Sequence, residues 1–224
     1  YTNVDKTHKY VMDGVSLGKR LGRKLQIRNY ETTTNINRQK KGRIDRRRLH
    51  AIGADDFNVF YQSQTEKYAD AFLHLSIDGS GSMNGENFYN SLKSAVAVAQ
   101  MGTMTNIDVQ ISLRITDKIG GTERPIMWIV YDSRKDTMST IKKYFKFLDV
   151  CGYTPEGLCF NSIMKELPIG SDSLKTYFIN YSDGMPYFNG YMGDIAVNHT
   201  RQQVNKLKDN GYNILSFFIT GYSN

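Results

Sequence analysis

The segment Asp78-Gly79-Ser80-Gly81-Ser82 places a carboxylate and two hydroxyls at alternate positions of a glycine-softened turn. Oxygen donors converging from one turn suit a hard cation. Mg²⁺ takes oxygen ligands in a near-octahedral shell and keeps water where the protein supplies none. The preceding run, residues 71–77, reads as a buried strand. The donors would then sit at a strand's carboxyl end, where open α/β sheets bind ligands. A serine-rich turn also serves as a helix cap, and for the pentapeptide alone the two readings stand level. Two later segments favour the cation. Thr154-Pro155-Glu156 precedes an apolar-periodic stretch over 158–167, and Asp183-Gly184 follows the strand-like run 177–181.

The ordered set, DxSxS, then a loop threonine, then (S/T)DG, resembles the von Willebrand factor A domain and its metal-ion-dependent adhesion site. The resemblance implies a metal set of Asp78, Ser80, Ser82, Thr154 and Asp183. Ser182 stands where a threonine is commoner. Upstream, Gly18 to Gln26, Gly42 to Leu49 and Val59-Phe60 look like the lead-in to that domain in the CobT-type subunit of aerobic cobaltochelatase, and Ser182-Asp183-Gly184-Met185-Pro186 is similar to that family's SDGxP segment. The similarity spans roughly residues 17–221. Departures are Gly79 after the aspartate, where that family often has cysteine or serine, and a divergent stretch over 187–200.

The set implies Asp78 as the anionic anchor, with Ser80 and Ser82 expected to bind through their hydroxyls. Thr154 and Asp183 act either directly or through water. Mg²⁺ held by few protein carboxylates keeps an electrophilic position that an acidic residue of a partner fills. Activation of water for hydrolysis is the other use of such a cation, but no general base stands out. His8, His50, His74 and His199 are scattered, and His74, inside a strand, reads as a satisfied core histidine. Gly18-Lys19-Arg20-Leu21-Gly22 lacks the spacing and ending of a phosphate-binding loop, so ATP hydrolysis is assigned to another chain.

These residues need a scaffold. Leu17, Leu21 and Leu25 recur every four residues and predict an amphipathic helix over 17–28, with 1–16 showing no clear period. The polar stretch 30–41 reads as a loop, 43–51 as a short helix and 57–61 as an edge or hairpin strand. Strands are expected at 71–77, 108–115, 126–131, 177–181 and 213–219, and helices at 86–101, 141–148, 158–167 and within 197–210. Strands alternating with helices imply a doubly wound α/β domain with a mostly parallel sheet covered on both faces. The 71–77 strand should be central, and 126–131 an edge strand that runs antiparallel. The division expected is a basic extension over 1–68 and a metal-site domain over 69–224.

Residues 1–50 hold 14 of the 29 Lys and Arg against four acids, so the formal charge of +7 belongs to the amino-terminal part. Such a block, with Arg46, Arg47 and Arg48 at its end, could dock on an acidic partner or bind nucleic acid. No apolar run is long enough to span a membrane. Cys151 and Cys159, eight apart, could be ligands or a disulfide, but they read rather as small buried apolar residues of a reducing, cytoplasmic compartment. The chain begins with Tyr1 and is read as a fragment or processed product. The leading functional expectation, implied by the resemblance, is a non-catalytic Mg²⁺-dependent coupling subunit (Mn²⁺ would also serve) for a AAA+ ATPase ring of MoxR or chelatase type. In the chelatase version it works beside a large catalytic subunit inserting metal into a tetrapyrrole. The alternative is a nucleic-acid-associated or structural assembly protein binding polyanions through its basic arm. An extracellular adhesion module is a third class, disfavoured by the cysteine usage.

Overall fold

The alternation in the strand before the glycine turn sets the layers. In β4 (Asp70–Asp78), Leu73, Leu75 and Ile77 point to one face and Phe72, His74, Ser76 and Asp78 to the other. Both faces are covered and both edges are paired. β4 runs parallel to β5 (Asp108–Ile119) and parallel to β7 (Leu174–Ser182). β6 (Thr122–Asp132) returns antiparallel to β5 as one edge, and β8 (Asn213–Phe218) adds parallel to β7 as the other, in the order β6-β5-β4-β7-β8. This computed structural model describes residues 3–28, 32–66, 70–171 and 174–219.

Helices pack on both faces, giving a doubly wound α/β fold. On the Leu75–Ile77 face lie α2 (Glu86–Thr105) and α3 (Met138–Tyr144), with Phe88, Leu92, Val96 and Ile141 buried against Val109, Ile111 and Leu113. On the opposite face, α4 (Glu156–Ile163) and α5 (Gly193–Asp209) bury Phe160, Ile163 and Leu207 against Phe72 and Phe178. The central and edge positions follow the expected order.

The amino-terminal part differs from expectation. A single helix, α1 (Asn3–Arg28), replaces the aperiodic 1–16 and the short helix after it. Its buried stripe is Thr7, Val11, Gly14, Val15, Gly18 and Gly22, while Leu21 is exposed. Val11 and Val15 join the core on the α2 face. The glycines permit this approach: a β-carbon on Gly14 would lie 2.7 Å from the Lys93 carbonyl oxygen, and one on Gly18 would meet the Ala97 carbonyl. Residues 1–26 therefore group with 69–224, and 27–68 form a second unit. The expected extension over 1–68 thus divides between the two units.

Residues 27–68 contain a small antiparallel sheet. β1 (Thr32–Gln39) and β2 (Arg43–Ile44) both pair with β3 (Phe60–Glu66). The stretch expected to be a loop over 30–41 is largely β1, since threonine favours extended backbone even where no apolar alternation marks it; Tyr30 and Glu31 lie outside the described residues. A 3₁₀ segment, Arg46–Ala54, stands where a short helix over 43–51 was expected, capped by Asp45, whose carboxylate accepts the Arg47 N–H at 3.0 Å.

Candidate functional site

Asp78 ends β4 opposite Arg114, a mid-strand residue of β5, which runs on to Ile119, and the neighbouring pair Ile77–Tyr181 brings β7's end alongside, so β4 and β7 deliver their carboxyl ends together. The Asp78 carboxylate is fully buried. Its Oδ1 accepts the Ser80 N–H at 2.9 Å and its Oδ2 accepts the Ser182 hydroxyl at 3.3 Å. Gly79 packs closely on β5: a β-carbon there would meet Ile115 Cγ2 at 2.8 Å, Leu113 Cδ1 at 2.9 Å and the Arg114 carbonyl oxygen at 3.0 Å. The Ser80 and Ser82 hydroxyls lie 3.0 Å apart, the first buried and the second exposed, so the donors form a stair from core to solvent.

The loop bearing Thr154 is stitched to this turn. The Cys151 N–H donates to the Gly79 carbonyl at 2.6 Å, and the Gly81 N–H to the Gly152 carbonyl at 3.0 Å. Thr154 itself is buried and exchanges two 3.0 Å backbone hydrogen bonds with Tyr187, in the loop that follows Asp183. Asp183 is half-buried directly beyond β7, and its Oδ1 accepts the Met185 N–H at 3.2 Å. The structure thus gathers Asp78, Ser80 and Ser82 into one hydrogen-bonded turn. It sets the Thr154 loop against that turn and Asp183 at the adjoining strand end.

Burial pushes the Asp78 carboxyl up from its ordinary pKa; Arg114 and the Ser80 N–H oppose this, and Asp183 adds to it. A carboxylate under that strain favours a neighbouring cation. Among the described residues no group of three or more His, Cys, Asp or Glu comes together as a metal cluster. A cation here would depend on hydroxyls joined to two carboxylates, an all-oxygen set whose chemistry fits Mg²⁺ rather than a softer metal.

Beneath the turn lies a buried charge cluster whose centre, Arg114, the sequence reading did not identify. Arg114 is wholly buried. Its Nη1 donates to Ser76 Oγ and Asn180 Oδ1, each at 2.7 Å, and its Nη2 donates to the Tyr181 carbonyl at 3.1 Å. The same Nη2 lies 4.0 Å from Asp78 Oδ2 and 3.7 Å from Glu156 Oε1, and Asn180 Nδ2 donates to that Glu156 oxygen at 2.7 Å. Glu156 opens α4, so Arg114 connects the glycine turn to that helix. The polar seam continues along the sheet: His74 pairs with Gln110 at 2.9 Å and Ser112 at 3.0 Å and stacks on Phe178. Burial drives the His74 pKa down to about 3, so it is the neutral core histidine expected. The signal was the even-numbered run Gln110, Ser112, Arg114 and Thr116, whose polarity reads as a solvent face but is a buried polar layer.

His199 is held between the Tyr191 hydroxyl at 2.9 Å and Gln203 Nε2 at 3.0 Å. Cys159 is buried, with its thiol pushed up to about 12 by desolvation, but Cys151 is exposed, contrary to its reading as a core residue. Arg46, Arg47 and Arg48 belong to the 27–68 unit. Arg46 and Arg47 are exposed, while Arg48 is half-buried and pairs with Asp56 at 3.2 Å. No helix among the described residues is long and apolar enough to cross a membrane.

No protein-family model and no curated protein matches the chain. Among solved structures, the vWF domain of the type V pili tip protein Mfa5 from Porphyromonas gingivalis is similar, at 22% identity and a TM-score of 0.35, over 54% of this chain and 40% of that one. A structure of three N-terminal domains of the same protein is similar at 21% identity and a TM-score of 0.37, over 56% of this chain and 22% of that one. The likeness is one of fold. It is remote and partial, and the chain spans less than half the length of either structure.

Proposed function

We propose that this chain is a protein-interaction module that holds one Mg²⁺, with Mn²⁺ as a substitute, at Asp78, Ser80, Ser82, Thr154 and Asp183. The observation that carries the reading is the stair of oxygen donors: a buried carboxylate with a raised pKa, followed by two hydroxyls 3.0 Å apart leading to solvent. Bound there, the cation supplies an electrophilic position for a carboxylate of a partner. The protein's own residues set the rest. The Ser80 N–H and the Ser182 hydroxyl hold the Asp78 carboxylate in place. Exposed Tyr153, Tyr187, Met185 and Phe218, on the same loops and on β8, give a contacting protein an apolar rim to bury. The resemblance of the lead-in segments to CobT-type subunits supports a AAA+ ATPase ring of MoxR or chelatase type as the partner. A chelatase catalytic subunit is the further partner that reading implies. ATP turnover then belongs to the ring.

Affinity capture with the full chain, in Mg²⁺ and in chelator, tests this. The wild type should recover a AAA+ ATPase only with Mg²⁺, and Asp78→Ala should recover none. Equal recovery by Asp78→Ala would refute the reading. Recovery of nucleic acid alone, released by salt and lost on neutralising Arg46 and Arg47, would favour polyanion binding instead.

A further inference from the structure

We propose that the groove between β6 and α3 docks an acidic amphipathic peptide segment of a partner protein, independently of any cation at the glycine turn. The groove has a volume of about 300 Å³ and is lined by Trp128, Val130, Thr140, Tyr144, Phe147 and Leu148. That is room for one or two large apolar side chains. Three of its aromatic walls face solvent: Trp128 is 52% exposed, Tyr144 52% and Phe147 63%. Aromatic side chains left this open, clustered around a concavity, mark a contact surface more often than a solvated face.

The rim is predominantly basic. Lys142 and Lys143 are exposed and Lys146 is half-buried, and across residues 138–150 these three lysines face a single acid, Asp149. The ammonium groups are held against the aromatic walls. Lys143 Nζ lies 5.1 Å from the Tyr144 ring centroid, and Lys146 Nζ lies 5.0 Å from that of Phe147. A segment that places a Leu or Phe in the groove and acids on either side meets both features. A second copy of this chain would bring the same lysines face to face, which like-charge repulsion disfavours. β6 adds a further anchor. It is the sheet's edge, paired among the described residues only with β5, and a bulge between Ile111 and Ser112 leaves Val130 without an opposite residue. Its outer backbone groups remain available to an extended peptide.

Trp128 is the only tryptophan of the chain and stands in the groove wall, so it reports occupancy directly. The full chain, in chelator, is titrated with a blocked peptide of sequence DEDLFDELLDE. Two control peptides are run beside it, one with Ser for Leu and Phe, the other with Lys for Asp and Glu. The acidic peptide should give a saturable blue shift of Trp128 emission that weakens as salt rises. Charge reversal by Lys142→Glu, Lys143→Glu and Lys146→Glu should weaken it about tenfold or more. Phe147→Ser, at an exposed position, should remove the shift while leaving the far-ultraviolet dichroism unchanged. The proposal is overturned by no shift with the acidic peptide, by an equal response to the lysine or serine peptide, or by an unaffected charge-reversed variant. It is equally overturned by a shift produced only by phosphatidylserine vesicles, or by one that tracks concentration-dependent dimerisation in sedimentation.

Discussion

Replacing Arg114 with methionine should cost the fold about 3–5 kcal/mol, the range for removing one partner from a buried charge cluster. The geometry supports the upper part. The guanidinium makes two hydrogen bonds of 2.7 Å and one of 3.1 Å, and it is the cation beside two buried carboxylates at 4.0 Å and 3.7 Å. At an effective dielectric constant near 20, each such contact is worth roughly 4 kcal/mol before desolvation is subtracted. Methionine fills part of the volume against Phe160 but leaves Asp78 and Glu156 facing each other without a cation. The cluster is not an optimised one, since Arg114 Nε finds no acceptor among the described residues. Neutralising all three groups should therefore recover most of the loss, and Arg114→Met with Asp78→Asn and Glu156→Gln should be more stable than Arg114→Met alone. Urea unfolding followed by circular dichroism measures both. With a slope of about 1–3 kcal/mol per molar urea, a loss of ~4 kcal/mol lowers the midpoint by more than about 1 M. A single variant within about 1 kcal/mol of wild type, or a triple variant no better than the single one, would refute the account of Arg114 as the counter-charge of the site.

Other outcomes are expected. His74 has a folded pKa lowered from 6.5 to about 3, so the unfolded chain takes up a proton that the folded one refuses. Its share of stability is intact above pH 6.5 and is lost as pH falls from there toward 3. His74→Gln should flatten that slope, which approaches 1.4 kcal/mol per pH unit at most, and an unchanged pH profile by thermal denaturation would contradict it. Gly152 has φ +70° and abuts Thr116, so Gly152→Ala should destabilise by about 1–3 kcal/mol and displace the Thr154 loop; a melting temperature unchanged from wild type would count against this. Neutralising Arg46 and Arg47 should reduce the salt dependence of binding to a polyanion such as heparin, whereas Arg48→Ala should act first on the 27–68 unit through its lost Asp56 pair.

Much of the frame was legible because it rests on alternation. Val109, Ile111 and Leu113 on one side, and Leu75 and Ile77 beside them, announce a covered sheet, and the segments between have helical period. The edge role of 126–131 and the central role of 71–77 rested on the resembled fold, since alternation alone does not order strands. What escaped notice has physical reasons. The buried stripe of α1 is built from Thr7, Gly14, Gly18 and Gly22, residues that carry no hydrophobic signal but permit close approach. The regular Leu17, Leu21 and Leu25 drew attention to the wrong face. Arg114 and Glu156 were overlooked because charged residues in an alternating strand or at a helix start read as solvated, and only the fold reveals that they neutralise each other under Asp78. The candidate donors were legible as types and order; the strand pairing that sets β4 and β7 side by side was what related Asp78 to Asp183.

The central claim is the cation. Isothermal titration of the full chain with Mg²⁺, at neutral pH and after chelator treatment, should give one site per chain in the wild type. The site should be absent in Asp78→Asn, which keeps the shape of the side chain and removes the charge. Mn²⁺ should compete for the same site. Equal Mg²⁺ binding by wild type and Asp78→Asn, or no binding by a wild type shown to be folded, would contradict the account.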